Sequence, residues 1–262
     1  MNRISRKFLE LKSKRRKAFI AYLTVGYPDI STTEKLVLEL SRLGVDMFEL
    51  GVPFSDPLAD GPIIQEASAF ALKNKVNLDK VFSLAKRLRN KIDKPLLTMG
   101  YYNPIFNYGL ERFAKNAKSS GLDGIVVPDL SLEEDKDLRK SLSKYGIYLI
   151  SFLAPTTDVS RIKHIARNAK GFIYYVSVTG VTGARNKLAK GIFNRISYLK
   201  KSVKVPICVG FGISTRKQFK TITSLSDGAI IGSAIINKIK ENIGRKDLVN
   251  RVSRFVKGII PS

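Results

Sequence analysis

Two carboxylates eleven residues apart open the case for chemistry. Glu49 lies in the apolar run Phe48-Glu49-Leu50-Gly51-Val52, and Asp60 lies in the loop that follows, Pro53-Phe54-Ser55-Asp56-Pro57-Leu58-Ala59-Asp60-Gly61-Pro62. Side chains alternate along a strand, so Met47, Glu49 and Gly51 share one face, and Phe48 and Leu50 the other. A carboxyl enclosed by apolar neighbours holds its proton to higher pH, because desolvation disfavours the anion. Such a group can donate and accept protons near neutrality. Position alone leaves Glu49 equally readable as an ion-paired carboxylate at a strand end. The loop tips the balance, since a long acid-bearing loop after a buried strand is usually functional. Asp56 is also readable as a turn residue making local hydrogen bonds.

A second set of residues suits an anion. Gly210-Phe211-Gly212-Ile213-Ser214 and Gly232-Ser233-Ala234 each follow an apolar run. Glycines let backbone N–H groups approach a phosphate, and a helix N-terminus favours negative charge. Each motif alone is weak, because glycine turns are common. The segment Ser177 to Lys190 is long, polar and glycine-bearing, and reads as a mobile lid or as a plain surface loop. Cys208 reads as a small core residue, and His164 as a surface or packing residue of a helix. One cysteine and one histidine leave little for a metal site, and one cysteine excludes an intrachain disulfide.

The elements that must position these groups alternate from end to end. Eight apolar, strand-like runs occur: Phe19 to Val25, Asp46 to Val52, Pro95 to Tyr101, Gly124 to Pro128, Ile147 to Leu153, Phe172 to Ser177, Pro206 to Val209 and Gly228 to Ile231. Runs apolar on both faces belong to parallel sheets. Between them lie helical segments. Ser31 with Glu34 and Ser131 with Glu134 have capping-box spacing, and Gly44 and Gly146 stand where helices stop. Asp158 precedes another helix. Eight such units in 262 residues predict an α/β chain folded as a (β/α)8 TIM barrel with an N-terminal helix, one domain over residues 1–262. An open doubly wound sheet would have fewer strands and a glycine fingerprint after the first, which is missing here. The anion motifs then fall after strands seven and eight, where barrels bind phosphate. Phe8, Leu9 and Leu11 fit a short helix leading into strand one, so the basic residues 1–17 read as part of the fold rather than as a transit peptide.

The stretch from Phe48 to Pro62 resembles the signature of the tryptophan synthase alpha family almost letter for letter. The resemblance extends to Thr24-Val25-Gly26-Tyr27-Pro28-Asp29, Tyr102-Asn103-Pro104, Val127-Pro128-Asp129-Leu130, Gly180-Val181-Thr182-Gly183, Gly210-Phe211-Gly212-Ile213 and Gly232-Ser233-Ala234. It implies cleavage of indole-3-glycerol phosphate to indole and glyceraldehyde-3-phosphate in tryptophan biosynthesis. It implies Glu49 as the acid/base and Asp60 as the second catalytic carboxylate. Substrate walls carried over are Tyr22, Tyr101, Leu153, Tyr174, Thr182 and Phe211, with Tyr175 competing for the place of Tyr174. Gly183, Gly212, Gly232 and Ser233 would hold the phosphate. This chain departs from the family pattern at Val178, where many members carry arginine, and at Pro128, where a smaller residue is common. No metal or organic cofactor is implied for this chain. Pyridoxal phosphate is expected only on a partner beta subunit in an αββα assembly, docked near Asp56 and Asn103-Pro104. A reducing compartment is expected, the cytoplasm, or the plastid stroma if the chain is organelle-encoded, to which the Lys/Ile-rich usage points.

The charge points elsewhere. Lys plus Arg total 46 against 22 Asp plus Glu, a net +24. The bases are spread along the chain, densest at Lys12, Lys14, Arg15, Arg16 and Lys17. Few aromatics interleave with them, so a base-stacking platform is not formed and no specific nucleic acid is expected. No apolar run reaches the ~18 residues of a membrane span. The rival readings are another phosphate-binding barrel enzyme and a polyanion-binding role driven by the charge.

Overall fold

The computed structural model describes residues 1–154, 157–176, 195–210 and 212–260. The chain opens with helix α1 (Arg3–Ser13) and strand β1 (Ala18–Thr24), then α2 (Ile30–Arg42) and β2 (Met47–Gly51). Helices α3 (Pro62–Lys73) and α4 (Leu78–Arg89) precede β3 (Leu96–Met99), and α5 (Tyr102–Tyr108) and α6 (Leu110–Ser119) precede β4 (Gly124–Val126). Helix α7 (Lys136–Lys144) leads to β5, which has two pieces, Tyr148–Leu149 and Ser151–Leu153. Then come α8 (Val159–Asn168), β6 (Ile173–Val176), α9 (described over 195–202), β7 (Ile207–Gly210), α10 (Arg216–Thr223), β8 (Gly228–Ile231), α11 (Ser233–Lys240) and α12 (Leu248–Ile259).

Every strand pair is parallel, and β1 pairs with both β2 and β8. The ring closes through β5: its first piece pairs with β4 and its second with β6, with the change of partner at Ile150. All eight strands therefore sit where the apolar runs predict them. The (β/α)8 barrel and its N-terminal helix are both present. Two helix starts differ. The α2 cap is Asp29, whose side chain accepts from Thr32 N–H at 2.7 Å. Glu34 is not the partner of Ser31; it binds Arg87 of α4 and Lys91 just beyond that helix. Ser131 and Glu134 bond to each other in a turn, and α7 starts later, after Asp135.

The N-terminal ends of the strands are sealed. Helix α1 buries Ile4, Phe8 and Leu11 on one stripe. Ile4 reaches the floor of the barrel, so close to Gly124 that a Cβ there would lie 2.8 Å from its Cδ1. Asn2 caps α1 and donates to the carbonyls of Asp123 (2.8 Å) and Gly146 (2.9 Å), which fixes the helix under the strands. Three aspartates clasp neighbouring strands at this end. Asp46, before β2, donates its N–H to Phe19 O and accepts Phe19 N–H on its carboxylate, both at 3.0 Å. Asp123 does the same to Leu96 of β3, and Asp227 to Ile207 of β7. The clasps join β1 to β2, β3 to β4 and β7 to β8. The remaining alternate pair, β5 with β6, has Phe172 in the corresponding place.

Candidate active site

The candidate acid pair lies at the other end, where the strands finish. Glu49 faces Tyr22 of β1 on one side and Leu97 of β3 on the other, in register. It is 1 % exposed, and neither carboxylate oxygen has a hydrogen-bond partner among the described residues. An ionised carboxylate in that position would be costly. Burial, and next the charge of Asp60, push the Glu49 carboxyl up to about 8. Glu49 thus holds its proton at neutral pH, as the apolar run around it predicts. Among the described residues no cation pairs with Glu49, against the competing reading of an ion pair at the strand end.

Asp60 arrives from the loop after β2. Tyr101, the residue that opens α5, donates its hydroxyl to Asp60 Oδ2 at 3.0 Å and accepts Ala59 N–H at 3.0 Å. Its ring stacks on Phe54 with centroids 5.1 Å apart. Tyr101 therefore grips the loop at three points. Burial raises the Asp60 carboxyl to about 6, opposed by the Tyr101 hydrogen bond. At neutral pH the pair holds one proton, on Glu49, and one negative charge, on Asp60. Two carboxyls whose environments push them apart divide acid from charge stabiliser. Asp56 is exposed and bonds Ser55, which agrees with its reading as a turn residue.

Glycines make room for the wall. A Cβ on Gly51 would collide with the Tyr22 hydroxyl and ring, and one on Gly232 would lie 3.2 Å from the same ring. A Cβ on Gly210 would lie 2.5 Å from the Tyr174 ring. Tyr22 and Tyr174 are both buried and feel the charges of Glu49 and Asp60, so they line one chamber with them. Between the two tyrosines left open by the sequence, Tyr174 faces Glu49. Tyr175 points the other way. Leu153 requires a correction: it pairs in register with Tyr175, on the outer face. The residue that stacks on Tyr174 is Phe152, with centroids 5.0 Å apart. The interruption of β5 at Ile150 breaks the simple apolar run, so a sequence reading cannot tell which of the two faces inward.

Sequence alone assigned Gly51 and Gly210 no part in the tyrosine wall, and Asp129 no role. Gly51 and Gly210 had a signal, since each closes a strand on the face of an inward side chain. Asp129 accepts Tyr102 N–H on both oxygens, at 3.0 and 3.1 Å, and so anchors the start of α5 beside Tyr101. Cys208 is buried inside the barrel next to Gly228, and burial pushes its thiol up. His164 lies in α8, but its side chain is outside the described residues, as are Thr182, Gly183 and Phe211 entirely. Val178 lies outside them too, and Pro128 occupies the turn after β4.

At the candidate anion end, α10 and α11 follow the last two strands. In α10 the first turn is already satisfied: Thr215 accepts Gln218 N–H, and Gln218 Oε1 accepts the N–H groups of Ser214 and Thr215. Helix α11 has Gly232 at its cap and no side-chain cap bond. Its first internal bonds come from Ile235 and Ile236, so the N–H groups of Ser233 and Ala234 lead the helix unbonded within it. A Cβ on Gly212 would meet no described residue within 4 Å. Gly232 packs on Tyr22, so the anion end and the acid pair share one wall.

The comparisons with known proteins match this geometry. The family model described as tryptophan synthase alpha chain matches residues 8–258. The tryptophan synthase alpha chain of Thermoanaerobacter pseudethanolicus is 45 % identical over 256 residues, 98 % of this chain and 97 % of the relative. The tryptophan synthase subunit alpha structure from Legionella pneumophila has a TM-score of 0.91 at 35 % identity, covering 99 % of this chain and 97 % of that one. A tryptophan synthase complex from Pyrococcus furiosus contains a chain with a TM-score of 0.84 at 33 % identity, covering 92 % and 97 %. A barrel with an acid pair at one mouth, and relatives alike over nearly their whole length, lead to one conclusion: the chain belongs to the tryptophan synthase alpha chain family.

Proposed function

We propose that the mouth of this barrel performs the family's retro-aldol cleavage of indole-3-glycerol phosphate, with Glu49 moving the protons and Asp60 holding the charge. The observation that carries the assignment is the buried, unbonded Glu49 carboxyl beside Asp60. Protonated Glu49 donates to indole C3, and the ring becomes an indolenine-like cation. The resulting carboxylate takes the proton of the side-chain hydroxyl next to the ring. The electrons of that O–H bond form the aldehyde, and those of the broken carbon–carbon bond restore the indole. Glu49 ends protonated again, so the step closes without net proton change. Asp60 accepts the indole N–H and stabilises the cationic ring.

Tyr22, Tyr101, Tyr174 and Phe152 wall the indole, and Thr182 and Phe211 complete the wall in this reading. Gly183, Gly212, Gly232 and Ser233 receive the phosphate. The uncapped start of α11 supports this. The chemistry is proton transfer and charge stabilisation by this chain's own carboxyls, and we assign the chain neither metal nor organic cofactor. The test is indole release from indole-3-glycerol phosphate by the wild type, Glu49→Gln and Asp60→Asn. Both variants are expected to lose at least a hundred-fold in kcat, typical of an acid/base group. Near-wild-type release by Glu49→Gln overturns the assignment.

A beta subunit carrying pyridoxal phosphate is the proposed partner, in an αββα assembly. Leu58 is 93 % exposed and Phe106 62 % exposed, on the β2 loop and on α5 at the same mouth, apolar surface suited to being covered. Co-purification with a beta subunit tests it, and Leu58→Asp is expected to weaken the complex. The free thiol of Cys208 fits a reducing compartment, which we take as the cytoplasm, or the plastid stroma for an organelle-encoded copy.

A further inference from the structure

A cleft of about 500 Å³ lies at the sealed end of the barrel, opposite the acid pair, between the C-terminal end of α1 and the turn that leads into β7. Six basic side chains line it, Lys12, Arg15, Arg16, Lys17, Lys200 and Lys204, against the single carboxylate of Asp227. Three of the six are committed. Arg16 faces Asp46 at 3.4 Å, Lys17 donates to Ser226 O at 2.7 Å, and Lys200 bonds Asp227 at 2.9 Å. Lys12, Arg15 and Lys204 are exposed and have no carboxylate partner among the described residues.

The neighbouring cleft under the same face shows the contrast. There Arg3, Arg6 and Arg89 are bonded to Asp93 or Asp123, and of the basic side chains that line it only Lys118 has no carboxylate partner among the described residues. Two carboxylates face four basic side chains in that cleft, whereas in the first a single carboxylate faces six. Arg15 is also held at φ 51, a left-handed conformation that a non-glycine residue adopts at a cost, and this turns the chain so that Lys12, Arg15, Arg16 and Lys17 converge. Burial, and next the charge of Lys200, lower the Lys17 ammonium from its ordinary value, so the cluster repels itself. A bound anion would relieve that repulsion. The floor is apolar, made by Phe8, Leu11, Val205 and Pro206.

We propose that this cleft binds a compact polyphosphate, a ligand with two or three linked phosphate groups, whose charges meet Lys12, Arg15 and Lys204. The volume suits a small molecule, since such sites span about 300–1,000 Å³. The unpaired cations form one pocket rather than a stripe along the surface, which favours a small anion over a nucleic acid. The proposal stands on the face away from the acid pair and does not depend on the cleavage reaction.

Titration calorimetry of the full chain tests it, with ATP, inorganic triphosphate and sulfate at a fixed ionic strength of about 0.15 M. ATP and triphosphate are expected to saturate one site, with sulfate at least ten-fold weaker. Lys12→Gln, Arg15→Gln and Lys204→Gln together are expected to weaken triphosphate binding at least ten-fold, with melting temperature and indole release unchanged. Lys204→Glu alone is expected to cost at least three-fold, in case the triple variant folds poorly. Equal affinities for ATP and triphosphate place only the phosphates in the cleft; tighter ATP places its nucleoside on the apolar floor. Three results overturn the proposal. One is no saturable binding. Another is equal loss when the exposed Lys35, Lys73 and Lys115 are neutralised instead. The last is binding only to RNA, with affinity that grows with length.

Discussion

Replacing Tyr101 with phenylalanine removes one oxygen and leaves the ring stacked on Phe54. That oxygen donates to Asp60 and accepts from Ala59. Ala59 is exposed, so water can replace the lost acceptor. Asp60 is half-buried and loses the Tyr101 hydrogen bond that holds its carboxyl down against burial. A hydrogen bond to a charged acceptor is worth about 1.5–3 kcal/mol. Asp60 is partly solvated, so the lower end applies, equivalent to about one pH unit. The Asp60 carboxyl would move from about 6 to about 7. If catalysis needs Asp60 ionised and Glu49 protonated, kcat/KM is a bell with limbs near 6 and 8. The variant's acid limb then shifts up. From the ionised fractions, activity falls about five-fold at pH 6, about two-fold at pH 7 and almost not at all at pH 8. The assay is indole release from indole-3-glycerol phosphate between pH 5.5 and 8.5. An equal loss at every pH, or an acid limb that stays in place, rules out this role for Tyr101.

Other outcomes follow from the same geometry. Glu49→Gln should raise stability as well as abolish cleavage. The Glu49 carboxyl is raised in the folded state, so it contributes fully below about 4.5 and costs stability as pH rises towards 8. The variant is therefore expected to melt higher than wild type at pH 8, by about 1–3 kcal/mol in stability, with little difference at pH 4.5, measured by thermal denaturation. Gly51→Ala should cost about 1–3 kcal/mol through collision with Tyr22. Tyr22→Ala in the same chain should recover most of that loss, a coupling that denaturant titration of the double mutant reads directly. Ile4→Ala should cost about 2–5 kcal/mol by leaving a cavity in the barrel floor, while kcat below the melting temperature stays unchanged.

Periodicity carried most of the architecture. Strands buried on both faces are apolar along their whole length, so all eight stand out, and the glycines after α2 and α7 mark real helix ends at φ 99 and 70. The carboxyl pair was legible because Glu49 alone interrupts an apolar strand and Asp60 follows in a loop fixed by proline. What escaped depends on contacts between distant segments. Asp29 rather than Ser31 caps α2 because the chain enters the helix earlier than the box spacing suggests. Phe152 rather than Leu153 faces the chamber because β5 changes partner at Ile150. The grip of Tyr101 on the Asp60 loop spans 41 residues and has no local signature.

The aspartate clasps bear on how the ring would come apart. A closed ring of strands opens at the joint that costs least, and three of its alternate strand pairs carry an extra two-point bond at the sealed end. The remaining one, β5 with β6, is unclasped and holds the break at Ile150. Local openings are drawn from the least stabilised units. Amide hydrogens of Phe19, Leu96 and Ile207 should therefore exchange only with global unfolding, and those of β5 and β6 by a cheaper route. The barrel is in this sense three riveted staves and one that is only laid in place, and solvent would enter first beside Phe152 and Tyr174, the wall of the chamber itself.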